Sequence, residues 1–151
     1  MEKLLQVNNL YTSFYTHVGE VQAVRGVSFD LDKGEALGIV GESGSGKSIT
    51  MMSVMRLLAD TGKIKEGSII FDGKDLTKIS DKEMEKIRGN DIGMIFQDPM
   101  TSLNPVFTIG EQLTEPILKH MKVSKKEAHD KAVEMLKLVG IPSPEKRMKQ
   151  Y

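Results

Sequence analysis

Residues 3–14 (KLLQVNNLYTSF) mix apolar and polar side chains in a strand-like way. After a loop at 15–20, Val21 to Leu31 reads as a second β segment, and Asp32-Lys33-Gly34 as a turn. The short apolar run Glu35–Val40 then reads as a buried strand, and Ile49–Ala59 has the length and composition of a helix. Asp60-Thr61-Gly62 breaks that pattern. Ser68–Phe71 is a further short strand, closed by the strong turn signal Asp72-Gly73. Ser80-Asp81-Lys82-Glu83 has capping-box spacing and predicts a short helix ending near Gly89. Asp91–Phe96 is another apolar strand, running into Gln97-Asp98-Pro99.

Beyond that point the pattern changes. Met100 to Thr108 is a loop, and 109–120 reads as a helix in which Pro116 predicts a kink or a break. A second capping box, Ser124-Lys125-Lys126-Glu127, opens a helix whose one face carries Ala128, Ala132, Met135, Leu136 and Val139. Gly140 and Pro142 stop it. Residues 144–151 are polar and basic, with no capping or closing element. The predicted order is therefore antiparallel β, then an α/β core, then helices.

Between the predicted strand at 35–40 and the predicted helix at 49–59 lies Gly41-Glu42-Ser43-Gly44-Ser45-Gly46-Lys47-Ser48. It fits Gly-x-x-x-x-Gly-Lys-[Ser/Thr], the phosphate-binding loop of nucleoside triphosphatases. Glycines let the backbone curl so that successive N–H groups point inward on phosphate oxygens. Lys47 then reaches the outer phosphates as a point charge, the Ser48 hydroxyl can ligate Mg²⁺, and the helix that follows adds the positive end of its dipole. A flexible Gly/Ser connector does not account for Lys-Ser placed between two apolar elements. The dinucleotide fingerprint fails, since Gly44-Ser45-Gly46 is followed by Lys47-Ser48-Ile49.

Composition narrows the field. With 151 residues the chain is long enough for one domain with a real core, and its 21 basic and 21 acidic residues balance, so no basic field for nucleic acid is indicated. It has no cysteine, which excludes disulfides and thiol catalysis and suits a reducing compartment. No apolar run approaches the roughly 18 residues of a membrane span, and Met1-Glu2-Lys3 opens no secretory signal, which together predict a soluble intracellular chain. His17, His120 and His129 are scattered without metal-ligand spacing and read as surface residues. A GTP-binding switch needs Asp-x-x-Gly and Asn-Lys-x-Asp, and neither occurs.

The succession Val-Asn-Asn-Leu, Ala-Val-Arg-Gly-Val-Ser-Phe, Gly-Ile-Val-Gly-Glu-Ser-Gly-Ser-Gly-Lys-Ser and Ile-Phe-Gln-Asp-Pro resembles the nucleotide-binding subunit of an ABC transporter. The wording Phe96 to Pro105 is similar to that of oligopeptide, dipeptide and nickel importer ATPases. The resemblance implies an α/β fold, a P-loop NTPase of ABC type. It would have an N-terminal antiparallel β part, an incomplete α/β core and the start of a helical subdomain, divided as 1–98 and 99–151. It implies ATP and Mg²⁺ as cofactors. The nucleotide would lie on Phe14, Gly41, Glu42, Ser43, Gly44, Ser45, Gly46, Lys47, Ser48 and Ile49. Phe14 stands where such proteins stack an aromatic on adenine, with Tyr15 as the neighbouring alternative and ordinary strand packing as the plain one. Gln97 resembles the glutamine that contacts Mg²⁺ or the attacking water. Lys47 and Gln97 are then the catalytic pair, Ser48 and Gln97 the metal ligands.

By the same resemblance the helices after Gln97 pack against a membrane permease, although a plain core-covering helical pair describes them equally well. Two ATPase subunits, identical or different, would close head-to-tail at the cytoplasmic face of the membrane. An extracytoplasmic binding protein would deliver peptide or nickel. The Leu-Ser-Gly-Gly-Gln-like signature, the Walker B aspartate with its catalytic glutamate, and the switch histidine are not among the 151 residues. The expectation is therefore an N-terminal fragment of a longer transport ATPase, inactive alone. The alternative is a soluble ABC-type ATPase not coupled to transport.

Overall fold

The computed structural model describes residues 2–98, 100 and 102–151, in two compact units, 1–85 and 86–151. Pro99 and Thr101, part of the importer-like wording, lie outside the described residues.

The first unit is built on an antiparallel sheet. Strand β1 (Lys3–Thr16) and β2 (Gly19–Asp32) form a long hairpin, so the expected loop at 15–20 shrinks to a tight connection around His17-Val18. Strand β3 (Gly62–Phe71) pairs with the other edge of β1, and the short β4 (Lys74–Asp75) closes the order β2-β1-β3-β4. The Asp72-Gly73 turn forms as expected, with φ values of 45° and 78° that suit a two-residue hairpin. β3 begins six residues earlier than the apolar run at 68–71 suggested. Its first half is charged and wins its place by pairing with β1 rather than by burial.

Helix α1 (Lys47–Val54) is shorter than the predicted span. It ends where Arg56 takes a left-handed φ of 50°, and the Arg56 guanidinium then ties that end down. Its Nη1 donates to the carbonyl of Ile79 at 2.7 Å and its Nη2 to Asp81 at 2.6 Å. Asp81 opens α2 (Asp81–Ile87), whose capping box at Ser80 and Glu83 forms as the spacing predicts. Val7, Leu10, Val24, Val54, Met55, Ile69, Leu76 and Met84 are the buried core of this unit.

Two expected strands are not strands. Residues 35–40 join no strand ladder, and Val40 is 93% exposed. Residues 91–96 contribute a single bridge, Arg88 to Ile92, and Ile95 is 99% exposed. A strand needs a ladder as well as an apolar pattern, and no described strand lies beside either segment to supply one. Hydrogen exchange on the 151-residue chain is therefore expected to find the amides of 36–40 nearly unprotected while Val7 and Ile69 are protected. Protection at 36–40 would mean that this segment is paired.

The second unit is helical, with α3 (Ile109–His120), α4 (Lys125–Leu138) and a short α5 (Pro144–Arg147). α3 passes through Pro116 without a break. Its first turn is held by a capping box at Thr108 and Glu111, and Gln112 donates to the carbonyls of Asn104 and Phe107 at 2.9 Å. These contacts outweigh the one backbone bond a proline removes. α4 has the predicted box at Ser124 and Glu127. In both boxes the backbone N–H of the capping residue, and then its hydroxyl, hold the glutamate below the usual carboxylate range.

Of the predicted α4 face, Ala128 and Ala132 are buried and Leu136 partly so. Met135 is half exposed and Val139 is 73% exposed, while Val133 takes an inward place, so the buried face is turned from 135 and 139 toward 133. Gly140 ends the helix as expected: its N–H and that of Ile141 return to the carbonyls of Lys137 and Leu136. The chain after 143 is not featureless. Pro144 opens α5, Met148 is buried with Ala132 and Val133, and the carbonyls of Gln150 and Met148 accept from Ile109 and Gly110. Those are the first amides of α3, which no earlier turn could satisfy.

Candidate phosphate-binding site

The loop 41–46 follows the unpaired segment 35–40 and turns directly into α1. Gly44 and Gly46 take φ values of 79° and 91°, which a side chain would strain. Ser45 N–H donates to the carbonyl of Glu42 at 3.2 Å and closes the curl. The Lys47 ammonium folds back over it, donating to the carbonyls of Gly41 (2.6 Å) and Glu42 (2.8 Å) and to Ser45 Oγ (3.3 Å). The cation is thus held at the rim of the loop on weak neutral acceptors, ready to exchange them for phosphate oxygens. Gly41 to Ser45 are exposed, Gly46, Lys47 and Ile49 half-buried, and Ser48 is exposed on the first turn of α1.

Two supports for this loop carried no sequence signal. The first is a bulge in β2. Thr12 pairs with Val24 but Ser13 with Gln22, leaving Ala23 as an extra residue. A Cβ on Gly46 would sit 2.6 Å from the Ala23 carbonyl oxygen, so the loop rests on the bulge backbone and only glycine fits. The second is a buried hydroxyl pair. Ser53 Oγ donates to the carbonyl of Ile49 at 2.7 Å, which leaves the Thr12 hydroxyl to donate to Ser53 Oγ at 2.9 Å. This pair pins α1 to β1, and a buried polar pair holds only when both members are satisfied.

Phe14 lies two residues beyond Thr12 on β1, on the same side of the sheet, and is half-buried. Tyr15 is exposed, with the Lys63 ammonium 5.8 Å from its ring centroid. Phe14 and the loop belong to the first unit; Gln97 is exposed in the second, after residues 93–96, which join no strand. Among the described residues no group of three or more His, Asp or Glu is placed to hold a metal by itself. The residues that fit Mg²⁺ are oxygen donors around a triphosphate, Ser48 first among them, and an exposed hydroxyl beside a Lys-rimmed anion cradle suits that hard cation. No helix among the described residues is long and apolar enough to cross a membrane.

Comparison with known proteins agrees with this geometry. The chain is 59% identical over 150 residues to the oligopeptide transport ATP-binding protein OppD of Bacillus subtilis, covering 99% of this chain and 42% of that protein. It is 60% identical over 152 residues to the dipeptide transport ATP-binding protein DppD of the same organism, covering 100% of this chain and 45% of that one. The chain thus spans less than half the length of these relatives. Among solved structures it is similar to the dimeric ATP-binding cassette MJ0796 bound to ADP and Pi, with a TM-score of 0.81 at 26% identity over 97% of this chain and 60% of that one. That likeness covers the antiparallel β part and the helices alike, as an α/β cassette fragment requires. A family model described as ABC transporter matches residues 24–151, from the β2 bulge through the loop to the last helix, and the chain belongs to that family.

Proposed function

We propose that this chain is part of an ATP-binding subunit that energises peptide import through a membrane permease by binding and hydrolysing ATP. The observation that carries the reading is the Lys47 ammonium, held over a glycine-shaped loop by neutral carbonyls that phosphate oxygens outcompete. The peptide class is supported by the relatives, whose names are those of oligopeptide and dipeptide transport proteins.

In this reading the loop amides and Lys47 bind and align the phosphates, and the α1 dipole adds to the field they meet. Phe14 takes the adenine on its open side. Ser48 and Gln97 would hold Mg²⁺, which when bound would supply charge neutralisation at the phosphates. Gln97 also orients the water that attacks. The hydrolytic carboxylate and the signature segment are contributed from outside these 151 residues, the signature by a second subunit. The helices after Gln97 face the permease, and the subunit sits peripherally at the cytoplasmic face of the membrane.

The full-length subunit is expected to co-purify with a permease and to support ATP-dependent uptake of a labelled oligopeptide. Lys47→Ala should stop uptake without releasing the permease. Recovery as an active ATPase with no membrane partner would overturn the transport reading, and uptake of nickel in place of peptide would overturn the substrate class.

A further inference from the structure

The most informative glycine outside the phosphate loop is Gly62, at the start of β3. Its φ is not in the left-handed region, so the backbone does not require glycine there, and a glycine inside a strand is destabilising against alanine. The reason is space. Gly62 stands directly opposite Phe14 across the β1–β3 ladder. A Cβ there would lie 2.8 Å from Phe14 Cε1, 3.0 Å from Leu58 Cβ and 3.2 Å from the Ala59 carbonyl oxygen. The aromatic ring therefore lies against bare β3 backbone, and Leu58 Cβ borders the same bare position.

We propose that Gly62, with Leu58, is a positioning residue for nucleotide binding, which seats the Phe14 ring against β3 and so fixes the face it offers to the base. The proposal rests on the reading of this chain as an ATP-binding subunit with Phe14 as its base platform. Three further contacts make the seat rigid. The Tyr15 N–H donates to the Thr61 carbonyl at 2.9 Å, and the Gly62 N–H closes a turn on Ala59 at 2.7 Å. Thr12, two residues before Phe14, is bonded to Ser53 of α1, whose first turn continues the phosphate loop. Base platform and phosphate cradle are thus attached to one β1–α1 pair, and the ring's tilt is the remaining variable. Gly62 sets it.

A glycine that merely lets the strand pack would affect all ligands alike, so the test separates base from phosphate. Binding of Mg·ATP and of Mg·tripolyphosphate, which has no base, is measured on the full-length subunit. Gly62→Ala is expected to weaken ATP about tenfold, the scale of a disturbed base–aromatic stack, and to leave tripolyphosphate within about twofold. Phe14→Leu should show the same split, and the double variant should lose no more ATP affinity than Phe14→Leu alone, because without the ring there is no stack left for the added Cβ to disturb. Equal losses for both ligands, or no loss for ATP, with Gly62→Ala would overturn the proposal. If that variant does not fold, Leu58→Ala decides by the same split. Unchanged ATP affinity in Phe14→Leu would instead overturn the base-platform reading on which the proposal stands.

Discussion

Lys47→Ala is expected to lower ATP affinity of the full-length subunit about a hundredfold while leaving its unfolding midpoint almost unchanged. The first half follows from what the ammonium does in the empty loop. It spans the carbonyls of Gly41 and Glu42 and reaches Ser45 Oγ, so it already stands where the outer phosphates of a bound triphosphate would be met. Hydrogen bonds to charged groups contribute about 1.5–3 kcal/mol each, enough for one to two decades of affinity. The second half follows from exposure. The loop around Lys47 is exposed, and the carbonyls it leaves can be hydrated. Lys47→Arg is not expected to rescue binding, because a planar fork cannot replace a compact ammonium inside a tight backbone curl. Isothermal titration with Mg·ATP and a denaturant titration check both halves, and wild-type affinity in Lys47→Ala would remove the assignment of the loop.

The loop was legible because its chemistry is local. Eight consecutive residues specify curl, cation and metal-binding hydroxyl, and the structure needs only a helix start to complete them. Capping boxes and the Asp72-Gly73 turn were legible for the same reason: partners three residues apart, or adjacent, carry the signal. The strands at 35–40 and 91–96 were misread because pairing is not local. Their apolar patterns are those of buried parallel strands, but a pattern states only what a segment could bury, not which neighbour is present. The two supports of the loop failed to show for a related reason. Nothing in Gln22-Ala23-Val24 marks a bulge, and Thr12 and Ser53 meet across 41 residues of sequence. The third capping box, Thr108 to Glu111, has the same spacing but is missed in the sequence, where Thr108 reads as the end of a loop.

The bulge gives the prediction that best separates architecture from chemistry at this site. Gly46→Ala is expected to lose both stability and ATP binding, where Lys47→Ala loses only binding. At φ 91° and ψ 1° an L side chain carries about 1–2 kcal/mol of strain in the left-handed region. The new Cβ would also stand 2.6 Å from the Ala23 carbonyl oxygen, a backbone atom fixed by strand pairing on both sides of it. Either the loop lifts from β2 or the bulge is pushed back, and overpacking of this kind costs about 1–3 kcal/mol. The sum, about 2–5 kcal/mol, is a large part of what a domain of this size has, so the midpoint in urea should fall measurably without any nucleotide present. Binding falls with it, because a lifted loop no longer aims its amides at one point. A Gly46→Ala protein with the wild-type midpoint would show that the loop does not rest on the bulge. Loss of binding at unchanged stability would then place the whole role of Gly46 in phosphate contact, as for its neighbour Lys47.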